Sequence, residues 1–582
     1  MSESALSTSA AMLFERNDAR VLEAFRRGEF DYVDAIGEVS EADFFRVITE
    51  RKILDKLAQS YPSPRERHDV PLWVYMASNL SMRFHGEHHF HAFPFLVRSS
   101  SMIEAFGPAM GHKATHPETG DISLRCAGFN EKNEYDRQTP CDQDYLRKLA
   151  GDTDAQLLQT WFNREVVGIF KQHHAYDAEG IFIGDASYLF VPDNEHYEGS
   201  SRLLFDEQNH PVDSAKLTHE QQKAYDWRRC YKLVTLLHTN RAGEFFLYGG
   251  LRLTAGKDHE APVLYELVDE FVENHGRGVM KRLILDRGFL DGEKIGHCKR
   301  DLGIDVLIPA RKDLEIYKDV VGLAEGGLLS FQPVPTPSPR APAVPVHRPE
   351  RIRKREEARQ RTLAKKKAEA AQKTQEVQKT QEVQRLRKPS PAGTPSPEQT
   401  RSEVAAVMDL RTLSTCPVPI HAVVNREIDR DGHREHWVLL DTAAIPEPLA
   451  TREEYRLRTS IEERHRQLKC FSDLAGFTSR RLSLVVNQVV FVLLMYSLLQ
   501  WYWQRIRRPE FNPRTTARAL DQLRPTMSVI LIFYQGYVAR LAPLEYQELL
   551  LTLKEEARLK ILAKTRRLRR GLSHQLDHAR AP

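Results

Sequence analysis

Four residues of one short segment, YRLRTSIEERHRQLK, have types that could act together on a charged substrate. Tyr455, Arg458, Glu462 and Lys469 follow one another at steps of three, four and seven. On a helix turning ~100° per residue they share a stripe about 60° wide. A phenol, two cations and a carboxylate make a poor core seam but a good surface for a phosphodiester backbone beside a metal. A solvated charged face meets the same spacing, because Glu463, Arg464, His465 and Arg466 make the helix polar all round. On the residues alone both readings stand. HGEHHFH, with His85, His88, His89 and His91, is a second concentration of chemistry. It offers metal ligands, a DNA-backbone contact or partly buried histidines of a loop. The last is expected, since acidic and thiol partners are scarce nearby.

The elements that must position these residues follow from periodicity. At 582 residues the chain is long for one core, and two to four domains are expected. Residues 1–165 read mostly as helix, with apolar residues at three- and four-residue steps over Val21–Arg27, Glu41–Leu57 and Pro71–Phe84. Strand-like runs follow at Ile181–Val191, Tyr231–His238 and Phe245–Thr254, then a helix at Ala261–His275. A strand at Lys281–Asp286, a helix at Gly292–Asp301 and a strand at Ile304–Pro309 complete an α/β order with its later strands parallel. Pro419–Ile428 and His436–Leu440, joined by Asp431-Gly432, read as a β-hairpin. Thr451 and Glu453 open a helix running to about Lys469, Leu482–Arg505 is a second, and the chain from Thr515 onward reads as helical and basic.

Charge and composition narrow the function classes. The net charge of +4 is a weak signal, but its distribution is not even. Between Arg340 and Lys388 sixteen Lys/Arg face six Glu, and between Lys554 and Arg580 nine face three acids. The first tract follows seven prolines between Pro333 and Pro349 and holds a tandem KTQEVQ repeat at 373–384, so 333–400 is expected to be disordered. The six cysteines lie apart with no C-x-x-C pair, which excludes the usual zinc ribbons and argues against a disulfide framework. No secretory signal is expected at the amino terminus. The most apolar stretch, Leu482–Trp503, contains Ser483, Asn487, Gln488, Ser497 and Gln500 and is expected to be a buried helix rather than a membrane span.

The pattern Y-x2-R-x3-E-x6-K resembles the signature of a large group of bacterial DDE-type insertion-sequence transposases, and the segment fits it at every position. The resemblance covers roughly 175–310 and 445–505. It implies an α/β ribonuclease-H-like core, a mixed sheet flanked by helices, with helical N-terminal and C-terminal regions and a β-containing insertion. In such enzymes two aspartates precede the glutamate. Asp185 in the first strand (IFIGDASYLF) and Asp286 at the carboxyl end of the fourth (LILDRGFL) are the counterparts here. The implied reaction is cleavage at transposon ends followed by strand transfer, with Asp185, Asp286 and Glu462 holding two Mg²⁺ ions and Mn²⁺ able to substitute. Hard carboxylate oxygens suit those ions. By resemblance, Tyr455, Arg458 and Lys469 hold the transposon-end strand. The partners are double-stranded DNA, as transposon ends and as target, and a second or further copy of the chain. The implied location is the cytoplasm, at the nucleoid.

The expected organisation is a mainly helical DNA-end-binding domain at 1–165, a first part of the core at 166–311 and an insertion at 312–445 with its hairpin at 419–440. The second part of the core at 446–505 and a helical basic region at 506–582 follow. Other carboxylates compete for the site: Asp193, Asp291, Asp441 and Glu463. Asp291 is expected to cap a helix, Asp441 to sit in a turn, and Glu463 to point about 100° from the stripe. Ser187, two residues after Asp185, is assigned no role. Two readings compete with transposition: a catalytically silent DNA-binding relative, and a metal-dependent DNA nuclease.

Overall fold

The computed structural model describes residues 14–37, 41–68, 70–93, 113–115, 122–124, 143–335, 401–429, 431–506 and 528–566. Of the tract 333–400, expected to be disordered, residues 336–400 lie outside these residues; its first residues are ordered instead, with Pro333 opposite Glu403 in a strand pair and the Val334 amide donating to the Ser402 carbonyl at 2.8 Å.

The chain builds an α/β unit around one large mixed sheet. Its strands, in chain order, are β1 (Ile181–Val191), β2 (Ser201–Phe205), β3 (Pro211–Val212), β4 (Asp226–Thr239), β5 (Leu247–Ala255), β6 (Arg282–Ile284) and β7 (Asp305–Pro309). The remainder are β8 (Gln332–Pro333), β9 (Arg401–Leu410), β10 (Ile420–Ile428) and β11 (Arg434–Asp441). Across the sheet the order is β8-β9-β10-β11-β7-β6-β1-β4-β2-β3, with β5 sharing the outer edge of β4. β1, β6 and β7 are parallel, as expected of strands joined by helical crossovers, whereas β4 is antiparallel to β1 and β5 to β4. The expected hairpin is present as β10 and β11. β11 also pairs with β7, so it extends the sheet. β9, on the far side of β10, was not expected.

Helices cover both faces. α1 (Glu260–His275) packs on the side of Gly184, where a Cβ would come within 2.8 Å of the Leu264 side chain. The absence of a side chain at Gly184 lets the helix approach the strand that carries Asp185. The opposite face receives α2 (Pro448–Tyr455), α3 (Arg458–Phe471) and α4 (Leu482–Arg505). α4 is the one helix among the described residues long and apolar enough to cross a membrane, and 83% of its most apolar window is buried in the protein. It is a core helix, as its polar residues foretold. Asn487 Nδ2 donates to Tyr75 Oη at 3.0 Å and Ser483 Oγ to the Gly151 carbonyl at 2.7 Å, tying it to N-terminal helices.

Two expectations need correction. The helix expected from Thr451 to Lys469 is two, α2 and α3, joined through Arg456 and Leu457. There the amides bond three residues back, Arg456 to Glu453 and Leu457 to Glu454, so the chain winds as a 3₁₀ turn rather than an α-helix. The expectation of helix at both ends of the chain also fails in part. Tyr32–Gly37 pairs with Ser528–Tyr534, which pairs with Tyr537–Leu541, with Glu15–Arg16 on the outer edge. Residues 15–37 and 528–541 thus supply the strands of a small four-stranded sheet. It has its own buried cluster, including Val21, Phe25, Phe30, Ile532 and Ala539. Lys113–Thr115 and Ile122–Leu124 add a further strand pair within the first 165 residues.

Candidate active site

The three acidic residues arrive on three different elements. Asp185 lies mid-way along β1, a strand made of β-branched and aromatic residues, and its side chain is only 13% exposed. Asp286 follows β6 and opens the short turn Arg287–Phe289, where its carboxylate caps nothing. Glu462 sits in the second turn of α3 with its side chain half exposed. Asp185 therefore forms the floor of the site and Glu462 its rim.

Arg458, the first residue of α3, gathers them. Its Nη2 lies 3.3 Å from Asp286 Oδ2 and its Nη1 2.6 Å from Glu462 Oε1. Burial works against its charge, yet Asp286, Asp185, Glu462 and Tyr455 together hold its pKa above the ordinary value. All three acids thus act electrostatically on one guanidinium. Arg458 Nε is buried with no hydrogen-bond partner. Lys469, three turns further along α3, donates from Nζ to Ser187 Oγ at 2.5 Å. Burial lowers the Lys469 pKa, and the neighbouring Asp185 partly restores it. Burial raises the Tyr455 phenol well above its usual value, with Arg458 the strongest opposing influence. The 3₁₀ turn between α2 and α3 favours this pairing, because residues three apart eclipse at ~120° per residue. Tyr455, Arg458, Glu462 and Lys469 thus share a charged corner with Asp185 and Asp286.

Among the described residues, no three His, Cys, Asp or Glu side chains stand together closely enough to hold one metal ion. The donor chemistry nonetheless fits a hard divalent cation. The site holds three carboxylates from converging elements, and Arg458 supplies the positive charge between two of them.

The competing carboxylates are otherwise engaged. Asp291 accepts from the Lys294 amide at 3.1 Å as a helix cap, Asp193 pairs with Arg202 at 2.9 Å, and Glu463 pairs with Arg466 at 2.6 Å. Asp441 is the correction: it is a buried strand end, not a turn. Both its oxygens accept from Arg282 at 2.6 Å, and Arg282 also reaches Glu454 at 2.7 Å. In the histidine cluster, His88 is buried between Arg83 Nη1 at 3.0 Å and the Ser472 carbonyl at 2.6 Å, just past the end of α3. Burial, then Arg83, push its pKa down to about 3, so it is a neutral structural residue.

His465 and Thr235 are not among the site residues expected from the sequence. His465 Nδ1 lies 3.6 Å from Asp185 Oδ2, and its Nε2 lies 3.0 Å from Thr235 Oγ1. The signal was present: His465 stands three residues after Glu462 and four before Lys469, on the same stripe. Its polar neighbours hid it.

Residues 197–498 match the model of a family described as transposase DDE domain, a span of just over half the chain. Asp286, Tyr455, Arg458, Glu462 and Lys469 fall inside the match, and Asp185 precedes it by twelve residues. No curated protein matches the chain.

Proposed function

The chain belongs to the transposase DDE-domain family, and on that premise we propose that it is an insertion-sequence transposase acting through Asp185, Asp286 and Glu462. It cuts DNA at the ends of its element and joins those ends to target DNA. The observation that carries this reading is that Arg458 pairs with the carboxylates of Asp286, from the loop after β6, and Glu462, from α3, while the charge of Asp185 on β1 also acts on it. The order β5-β4-β1-β6-β7, with α1 between β5 and β6, supports a ribonuclease-H-like core.

Asp185, Asp286 and Glu462 are the residues that hold divalent metal, Mg²⁺ with Mn²⁺ as substitute. When bound, the metal ions activate the attacking oxygen and stabilise the leaving oxygen. Arg458 orients the carboxylates of Asp286 and Glu462 by pairing with both. Lys469, braced by Ser187, places an ammonium beside Asp185, where it binds the DNA backbone with Tyr455. Phosphate contacts of this kind fix the register of the strand without reading its bases. Residues 1–165 contribute to end recognition, and two or more protomers hold the paired ends, in the cytoplasm at the nucleoid.

The test is Mg²⁺-dependent cutting of DNA that carries the element's own inverted repeats. Wild type is compared with Asp185→Asn, Asp286→Asn and Glu462→Gln. Wild type cuts at the repeat ends, and each substitution lowers cutting at least ~100-fold while DNA binding persists. Binding without cutting by wild type would favour a silent DNA-binding protein. Cutting without joining to a second DNA would favour a nuclease.

A further inference from the structure

A buried imidazole lies against the deepest carboxylate and has no part in the reaction as described. His465 is 3% exposed on α3, between Glu462 and Lys469. Thr235 stands directly opposite Asp185 in the β4–β1 register, so both side chains leave the same face of the sheet. His465 meets both, with Nε2 3.0 Å from Thr235 Oγ1 and Nδ1 3.6 Å from Asp185 Oδ2. An ionised carboxylate can only accept, so the ring nitrogen that faces it must carry the proton. In a neutral ring the other nitrogen then accepts, and the Thr235 hydroxyl is its donor.

We propose that Thr235 and His465 form a positioning pair that fixes the Asp185 carboxylate for divalent metal. The Asp185 carboxylate selects the tautomer with Nδ1–H, and the Thr235 hydroxyl holds the ring in place by donating to Nε2. The proposal rests on the reading of Asp185 as a metal ligand. At 3.6 Å the contact with Asp185 is too long to be a formed hydrogen bond. Contacts of this kind commonly lengthen in the free enzyme and tighten in the loaded one. Partners that orient a metal-binding side chain typically change metal affinity 10–100-fold when removed. His465 is thus a positioning residue that acts through Asp185.

The rival explanation is that His465 merely fills space under α3. Two amides separate the ideas. The amide nitrogen of asparagine can take the place of Nδ1 and still donate to Asp185. That of glutamine takes the place of Nε2, keeping the side facing Thr235 and losing the donor to Asp185. A filler would be replaced at least as well by glutamine, the larger of the two.

The experiment measures Mn²⁺ binding to the full chain without DNA, by calorimetry and by the electron-paramagnetic-resonance signal of free Mn²⁺. Melting temperature without metal is recorded for each variant. Wild type is compared with Asp185→Asn, His465→Asn, His465→Gln, Thr235→Val and Thr235→Ser. Expected are loss of most binding in Asp185→Asn and about 10-fold weaker binding in His465→Gln and Thr235→Val. His465→Asn and Thr235→Ser stay within a few-fold of wild type. Should the His465 variants fail to fold, Thr235→Val against Thr235→Ser decides, since valine keeps the shape of threonine without its hydroxyl. If Asp185→Asn binds as wild type does, the metal reading falls and takes the pair with it. If Asp185→Asn is weakened while His465→Gln and Thr235→Val are not, only the pair is overturned. Equal losses in His465→Asn and His465→Gln overturn it as well.

Discussion

Arg458 shows how a single side chain can set the charge balance of a site. Two of its nitrogens reach two acids, at 3.3 Å and 2.6 Å, which a point-charge ammonium cannot do with the same geometry. Arg458→Lys should therefore keep the positive charge and still lose about 100-fold in cutting rate, the scale on which slight misplacement of reacting groups counts. Single-turnover cleavage of pre-bound end DNA checks this, and a near-wild-type rate would reduce Arg458 to a counter-charge. Histidines away from the site make a separate prediction. His238 Nδ1 donates to the Ile181 carbonyl at 2.9 Å while its Nε2 accepts from the Asp177 amide at 2.8 Å, so the ring is neutral when folded. Burial pushes its pKa down to about 4, as burial and Arg83 push His88 down to about 3. An unfolded histidine titrates near pH ~6.5. Below that the unfolded chain takes up protons that the folded one refuses, so stability is full above ~6.5 and is lost as pH falls toward the folded values. The melting temperature should drop steadily between pH 7 and pH 5, and His88→Gln should flatten part of that slope. A melting temperature unchanged across the window would contradict the neutral assignment.

At the scale of elements, the buried triad of Arg282, Asp441 and Glu454 joins the start of β6, the end of β11 and the last turn of α2. Burial opposes the Arg282 charge, but Asp441 and Glu454 outweigh it and hold its pKa above the ordinary value. Asp286 lies four residues after Arg282, and Tyr455 directly follows Glu454, so the triad sets the distance between two sides of the site. Arg282→Met leaves two buried carboxylates short of their main counter-charge and should cost about 3–5 kcal/mol, measured by urea unfolding. A loss under ~1 kcal/mol would mean that water already reaches the cluster. This triad also marks where the sequence stopped being readable. The residues near 455 were legible because their spacing is local and their types are demanding, and β1, β6 and β7 because short β-branched runs stand between helices. Asp441 at the end of a strand looks like a turn residue. Its partner Arg282 is 159 residues away, a pairing that no local pattern carries. The break between α2 and α3 was illegible for a related reason: neither glycine nor proline marks it, and only the hydrogen bonds of Arg456 and Leu457 reveal the tighter winding.

On the scale of the whole molecule, the two ends of the chain meet in a sheet that the sequence reading took for helices. The run SVILIFY has no alternation, and a continuous apolar run fits a buried strand and a buried helix alike. The missed signal is Gln535-Gly536, both in the left-handed region at φ 47° and 83°, which is the backbone of a tight hairpin turn. Its partner strand, Tyr32–Gly37, lies almost five hundred residues earlier, so the sheet cannot form until the chain has been made as far as Leu541. The cluster beneath it, with Val21, Phe25, Phe30, Ile532 and Ala539, is separate from the large cluster that holds α4 and the sheet carrying Asp185. Two clusters that share no buried residues can unfold separately. Phe25 is fully buried in the smaller one, and its truncation to alanine should cost about 3–5 kcal/mol there. Scanning calorimetry of the full chain should then show a small transition that moves to lower temperature in Phe25→Ala, while the main transition stays in place. Mn²⁺ binding by the acid trio should be unchanged in that variant, because Asp185, Asp286 and Glu462 are carried by the large sheet and by α3. A single transition that shifts as a whole would mean instead that the terminal sheet and the catalytic core fold as one cooperative body. The paired ends would then be a structural clasp on the core rather than an independent module.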